Sequence, residues 1–165
     1  MTIPRLLIVW HSATGGTRQM VEAAQAGARE EKGADVAVRA APDATPEEML
    51  AADGYLFAAP ENLAAIAGVM KSFYDRCYYP VLGRIEGRPY AQMVCAGSDG
   101  ENCVRQTARI AKGWRLKAVA EPIIVCTHAQ TTEAILAQKT IPEAELTRCR
   151  DMGQALAAGL AMGLF

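Results

Sequence analysis

The sequence predicts a three-layer α/β sandwich, with a five-stranded parallel sheet and helices on both faces, and three observations carry that reading. Strand-like and helix-like segments alternate along the chain, which is the pattern of parallel strands joined by crossover helices. The 165 residues, 51% of them hydrophobic, are enough for one domain with a full core. No repeat, linker or low-complexity tract interrupts them, so residues 1–165 read as a single domain.

The first strand is the apolar run Leu6-Leu7-Ile8-Val9-Trp10, which opens into His11-Ser12-Ala13-Thr14-Gly15-Gly16-Thr17 just before a helix from about Arg18 to Glu31. Such a loop is a phosphate seat. Ser12, Thr14 and Thr17 supply hydroxyl donors, and Gly15 and Gly16 let the backbone approach an anion. The helix turns unpaired N–H groups and its positive dipole end toward the same point. Gly33 is a C-cap candidate, and Val36 and Val38 alternate through a short second strand. Thr45-Pro46-Glu47-Glu48 forms a capping box with proline at the first helical position, so a short helix starts there.

The third strand, Tyr55 to Ala59, is expected to end at Pro60, where a loop leads into a helix carrying Val69, Met70, Phe73 and Tyr74. A fourth strand, Ala91 to Ala96, opens into Gly97-Ser98-Asp99-Gly100, and a helix follows to Gly113. The fifth strand lies between about Val119 and Cys126. It contains Pro122, which cannot donate to a ladder, and so belongs at a sheet edge. The last helix begins near Pro142 and runs apolar to the C-terminus.

Composition narrows the function classes. A formal net charge of −1 with no Lys/Arg stripe gives no footprint for nucleic acid. The first apolar run is short, follows Pro4 and ends in a polar loop, unlike a signal peptide. The longest apolar segment, Ala155 to Phe165, is too short to span a bilayer. Cys77, Cys95, Cys103, Cys126 and Cys149 are odd in number and lack metal-ligand spacing, so free thiols in a reducing cytoplasm are expected, with neither disulfides nor a metal site. His11 reads as a strand-end histidine with a backbone partner, and His128 has no partner visible in sequence.

Other chemistries fail on particular residues. No Lys follows the glycines of the first loop, and no GxGxxG spacing is present. A phosphotyrosine phosphatase needs a cysteine in that loop, where Ser12 stands. A phosphoryl-accepting receiver needs acidic residues where Trp10-His11 and Ala59 stand. Gly97-Ser98-Asp99-Gly100 does not have the spacing of a hydrolase elbow.

The loop Ser12-Ala13-Thr14-Gly15-Gly16-Thr17 resembles the [S/T]xTGxT loop of the flavodoxin-like family, which holds the 5′-phosphate of FMN without a metal. The resemblance implies strand order 2-1-3-4-5, with the ligand outside the carboxyl ends of the strands at the point where the winding reverses. The segment from Pro60 to Arg76 resembles the loop and helix that flank the isoalloxazine in flavodoxin-like FMN and quinone reductases. The match is good from Gly68 through Lys71, Phe73 and Asp75-Arg76, and departs at Glu61-Asn62-Leu63, where the family often has an aromatic residue. Gly97-Ser98-Asp99-Gly100 matches the turn along the other flavin edge.

The implied cofactor contacts are therefore Ser12, Ala13, Thr14, Gly15, Gly16 and Thr17, then Pro60, Glu61, Asn62 and Leu63, then Gly97, Ser98, Asp99 and Gly100. The resemblance implies FMN as cofactor, NADPH or NADH as donor and a quinone or similar small acceptor. It implies no catalytic side chain, since hydride and electron transfer belong to the flavin. A flavodoxin-type electron carrier is the alternative, and the near-neutral charge and aromatic-poor Pro60 loop favour the reductase. A flavodoxin-fold domain that has lost flavin is a third reading.

Simpler roles stand beside these. Asn62 could cap the following helix, Glu61 could be a solvated carboxylate, and Asp99-Gly100 is a turn signal in itself. The loops Pro60 to Gly68 and Gly97 to Cys103, rich in small residues, are expected to order on ligand binding. Tyr78, Tyr79, Val81 and Leu82 suggest a homodimer or homotetramer in which a neighbouring subunit helps cover the flavin.

Overall fold

The computed structural model describes residues 2–165. Five strand positions form the main sheet. They are β1 (Arg5–Trp10), β2 (Asp35–Ala40), β3 (Gly54–Asn62), β5 (Pro89–Ala96) and an outer position shared by β6 (Lys117–Ala118) and β7 (Ile123–Cys126), while β4 (Ala65–Ile66) folds back on β3. The order is β2-β1-β3-β5 with β6 and β7 both against β5, which is the expected doubly wound arrangement. The helices are α1 (Gly16–Glu30), α2 (Pro46–Ala51), α3 (Gly68–Val81), α4 (Glu101–Gly113), α5 (Thr132–Leu136) and α6 (Glu143–Met162). Among the described residues no helix is long and apolar enough to cross a membrane.

The unbroken apolar run of β1 reflects burial on both faces. Leu6 and Ile8 point toward α1 and α6, beside Met20 and Leu156, while Leu7 and Val9 point toward α2, α3 and α4, beside Met49, Phe73 and Cys103. On the second face Phe57 sits among Tyr55, Phe73, Tyr74, Tyr90 and Trp114, with ring centroids between 5.5 and 6.3 Å away. On the first face α1 and α6 touch backbone to backbone. A Cβ at Gly27 would strike the Arg150 carbonyl, and one at Gly153 the Ala24 carbonyl.

Seven strand segments appear where five were expected, for two local reasons. Pro122 divides the outer strand, and β6 and β7 pair with opposite ends of β5 at the sheet edge. The third strand also runs on past Pro60 to Asn62 and turns back into β4. Ala58 turns its carbonyl to the His11 N–H on the β1 side. Pro60, two residues on, faces that same side beyond the end of β1, where no donor is needed. Gly33 is not a C-cap, because α1 stops earlier with Glu31 in extended conformation. Its lack of a side chain serves packing, since a Cβ there would lie 2.7 Å from the Ala161 methyl. The Thr45 capping box forms as read from sequence, with Glu48 N–H donating to Thr45 Oγ1 at 3.2 Å.

Candidate functional site

Two strand–loop–helix units open at the same end of the sheet, β1 to α1 and β5 to α4. In both, a left-handed glycine precedes the helix: Gly15 with φ 87° and Gly100 with φ 93°, a conformation that costs glycine nothing.

At the first unit the Ser12 hydroxyl accepts the Gly15 N–H at 3.1 Å and closes the turn. The glycines are required by their neighbours. A Cβ on Gly15 would enter the Gln138 amide, and one on Gly16 would lie 2.6 Å from Cys95 Sγ. Thr17 is 1% exposed, and its Oγ1 has no hydrogen-bond partner among the described residues. A buried hydroxyl without a partner costs about 1–3 kcal/mol. Helix α1 also has no acidic residue in its first turn and no side-chain cap, so its N-terminal donors and dipole are uncompensated by any carboxylate.

A distant segment lies over this loop. Lys139 donates its backbone N–H to the Thr14 carbonyl at 2.9 Å, and its Nζ lies 3.3 Å from Thr14 Oγ1. Gln19 on α1 fixes the segment by donating to the Gly15 and Lys139 carbonyls at 3.0 and 2.6 Å and accepting the Ile141 N–H at 3.0 Å. Turned to suit its neighbours, the Gln138 amide accepts from Arg18 and donates to the Thr14 carbonyl, both at 3.3 Å. The sequence signal for this was weak. Lys139 is far from the loop in the chain, and α5 is too short for helical periodicity to reveal.

The second unit is closed from within. Glu61 accepts the Gly100 N–H at 2.9 Å on Oε1 and the Cys103 N–H at 3.1 Å on Oε2. It is half-buried and caps α4 across the cleft, so it is not a freely solvated carboxylate. Asn102 Nδ2 donates to the Ala64 carbonyl at 2.5 Å, and the Ile66 N–H donates to Gln106 Oε1 at 2.9 Å. The two loops expected to be loose are thus tied together. Asn62 does not cap α3, whose N-cap is Ala67 without a side-chain bond. It ends β3 at a tight hairpin whose turn residues, Leu63 and Ala64, have φ of 50° and 61°, and Leu63 stands fully exposed at the tip. Ser98 and Asp99 are exposed in the turn before α4, where Asp99 Oδ1 accepts the Glu101 N–H at 3.2 Å.

Between the units lies a cavity of about 220 Å³ lined by Ala13, Thr14, Pro60, Glu61, Asn62, Gly97 and Lys139, with Ile135 and Leu136 of α5 on its outer side. No residue of α5 is buried, so this is the wall with least to hold it in place. A broader groove of about 600 Å³ follows the β2 edge. Four of its charges pair with one another, Arg5 with Asp35 and Arg39 with Glu48, as on a solvated sheet edge.

Burial raises the thiol pKa to about 11 at Cys95 and to about 12 at Cys103 and Cys149, and all five cysteines are free. Burial also lowers the His11 pKa, and the His11 backbone N–H donates to the Ala58 carbonyl at 3.1 Å. His128, with φ 58°, donates its backbone N–H to the Gly97 carbonyl at 2.8 Å.

Residues 29–131 match the family of NADPH-dependent FMN reductases. The chain belongs to that family. The matched span takes in the Glu61 hairpin and the Gly97 turn and excludes both the Ser12–Thr17 loop and Lys139. As a member of the family the protein is an FMN flavoprotein with a flavodoxin-like fold. A flavodoxin of Aquifex aeolicus (strain VF5) is 32% identical, covering 51% of this chain and 45% of its own. An NAD(P)H dehydrogenase (quinone) of Acidithiobacillus ferrooxidans (strain ATCC 53993 / BNL-5-31) is 34% identical, covering 44% of this chain and 46% of its own. The chain thus spans under half the length of these two relatives. A flavodoxin from the domain Archaea superposes with a TM-score of 0.76 at 18% identity, covering 94% of this chain and 98% of that one.

The residues present fit FMN. The unpartnered Thr17 Oγ1 and the uncapped N-terminus of α1 offer donors to a phosphate, and the cavity beside them is bounded by the two loops that the resemblance assigns to the ring.

Proposed function

We propose that this protein is an FMN-dependent oxidoreductase that takes electrons from NADPH or NADH and delivers them to a quinone or similar small acceptor. The observation that carries the reading is the buried, unpartnered Thr17 hydroxyl at the uncapped N-terminus of α1. Thr14 and Thr17 would hold the phosphate, Pro60 to Leu63 and Gly97 to Gly100 would flank the ring, and Ile135 and Leu136 would exclude water from it. Hydride acceptance and electron delivery are chemistry that FMN supplies when bound. Glu61 is engaged with two backbone N–H groups, so its part is to fix the loops, and no side chain of the cavity is assigned as acid or base.

Residues 1–165 act as one flavin-binding domain in this reading, in the cytoplasm, where free cysteines stay reduced. It works as a homodimer or homotetramer. Tyr78 stacks on Trp114 with ring centroids 5.5 Å apart and Val81 is buried, which leaves Tyr79 and Leu82, 79% and 44% exposed, as the groups for a partner to cover. Sedimentation equilibrium of wild type and Tyr79→Ala tests this, and a monomer at all concentrations refutes it.

The flavin reading predicts a yellow protein after loading with FMN. Anaerobic titration of that holoprotein with NADPH and then NADH should bleach it rapidly with at least one of them. The likeness to a flavodoxin favours an electron carrier as the second reading, and a holoprotein that neither nicotinamide bleaches supports it. A chain that binds no FMN refutes both.

A further inference from the structure

We propose that Lys139 is the counter-ion of the FMN phosphate in this protein, delivered to the phosphate loop by the strap from α5 to Ile141; the inference rests on the flavin reading above.

The backbone of the strap is fixed against the loop from both sides. The Lys139 N–H donates to the Thr14 carbonyl, and Gln19 holds the Lys139 carbonyl and the Ile141 N–H with the two ends of one amide. The ammonium therefore reaches out from an anchored position. Two of its three donors go to the Ile135 and Ala137 carbonyls at 2.7 and 2.6 Å. The third meets Thr14 Oγ1 at 3.3 Å, a long contact to a neutral hydroxyl. A phosphate oxygen taken up beside Thr14 would offer that proton a charged acceptor, which makes a shorter and stronger bond.

The loop itself supplies no charge. Ser12 to Thr17 contains no Lys or Arg, and the nearest cation in sequence, Arg18, is exposed and turned to the Gln138 amide. Hydroxyls and the helix dipole would otherwise have to balance a phosphate alone. The buried, unpartnered Thr17 Oγ1 marks independently where the anion belongs. A purely structural role for Lys139 would be to cap the last carbonyls of α5, and that role has no reason to distinguish a phosphorylated flavin from an unphosphorylated one.

The test compares FMN with riboflavin, which lacks the phosphate, by fluorescence quenching on the full chain, for wild type, Lys139→Gln and Lys139→Arg. The proposal expects Lys139→Gln to weaken FMN about tenfold and riboflavin less than about twofold, with Lys139→Arg restoring most of the FMN affinity. Added salt should shrink the difference between wild type and Lys139→Gln. Equal losses for both flavins would mean that Lys139 only holds α5 in place, and unchanged FMN affinity would mean that it does not reach the phosphate. Either overturns the proposal while leaving the flavin reading intact. A wild-type chain that binds neither flavin overturns both. Should Lys139→Gln fail to fold, a Lys139→Arg protein that loses FMN and riboflavin affinity alike also overturns it.

Discussion

Helices α1 and α4 begin alike and are finished differently. Each follows a strand at the same end of the sheet and starts after a left-handed glycine, Gly15 or Gly100. At α4 the N-terminal donors of Gly100 and Cys103 meet an anion that the protein carries, the Glu61 carboxylate, with Glu101 also in the first turn. At α1 the first turn holds no acidic residue and there is no side-chain cap, and the buried Thr17 hydroxyl has no partner among the described residues. A helix N-terminus attracts negative charge, and of the two it is α1 whose first turn meets no carboxylate of the protein's own, which is why the proposed phosphate is assigned there. Strand–loop–helix topology does not choose between them. The choice lies in one glutamate reaching across from another loop.

The largest effect expected from breaking this contrast is at α1. If the proposed phosphate site holds, replacing Thr14 and Thr17 together by valine would remove two hydroxyl bonds to a charged group, each worth about 1.5–3 kcal/mol. FMN affinity measured by calorimetry should fall at least roughly tenfold, and unchanged affinity would put the site elsewhere. Thr17→Val alone should raise the stability of the flavin-free protein by about 1 kcal/mol, because it removes a buried polar atom that has no partner. A lower melting temperature would show that the hydroxyl is satisfied in solution.

Glu61→Ala should cost about 2 kcal/mol of stability by leaving two α4 donors without their charged acceptor. Amide exchange at Gly100 and Cys103 should quicken in the flavin-free protein. Exchange there that is already fast in wild type would mean that the loops are not tied before flavin binds.

A smaller effect calibrates the first two. Thr45→Ala breaks the α2 capping box away from the cleft, so it should cost about 1 kcal/mol and leave FMN affinity unchanged. A change in affinity would show that losses at the site variants reflect general destabilisation.

The smallest effect is at His11. Burial lowers its pKa in the folded protein below the unfolded value of about 6.5. As pH falls through about 6.5 the unfolded chain takes up the proton first, so stability is held above that pH and declines below it until the folded pKa is passed. Denaturant titrations from pH 7 to 5 should show a slope that His11→Gln flattens, and an identical slope in the variant would assign it to other groups.

Local patterns made most of the fold legible. The β1 run, the Thr45 capping box, the edge position marked by Pro122 and the apolar C-terminal half of α6 each express a constraint satisfied within a few residues. The errors came where a distant group settled the outcome. Pro60 stays in β3 because β1 has ended beside it, and Gly33 accommodates Ala161 and caps nothing. The Ser12–Thr17 loop was visible as a motif, whereas Glu61 as a cap and Lys139 as a neighbour of Thr14 were not.

The sequence by itself determined the order of strands and helices and the phosphate-type loop after β1, because periodicity, capping and turn chemistry act between near neighbours. Only the tertiary structure decided which helix N-terminus keeps its donors, which loop is tied shut and which cation stands over Thr14. Those outcomes depend on charges and hydrogen bonds between residues separated by about forty positions at Glu61 and more than a hundred at Lys139, and only the folded sheet brings such pairs within reach of one another.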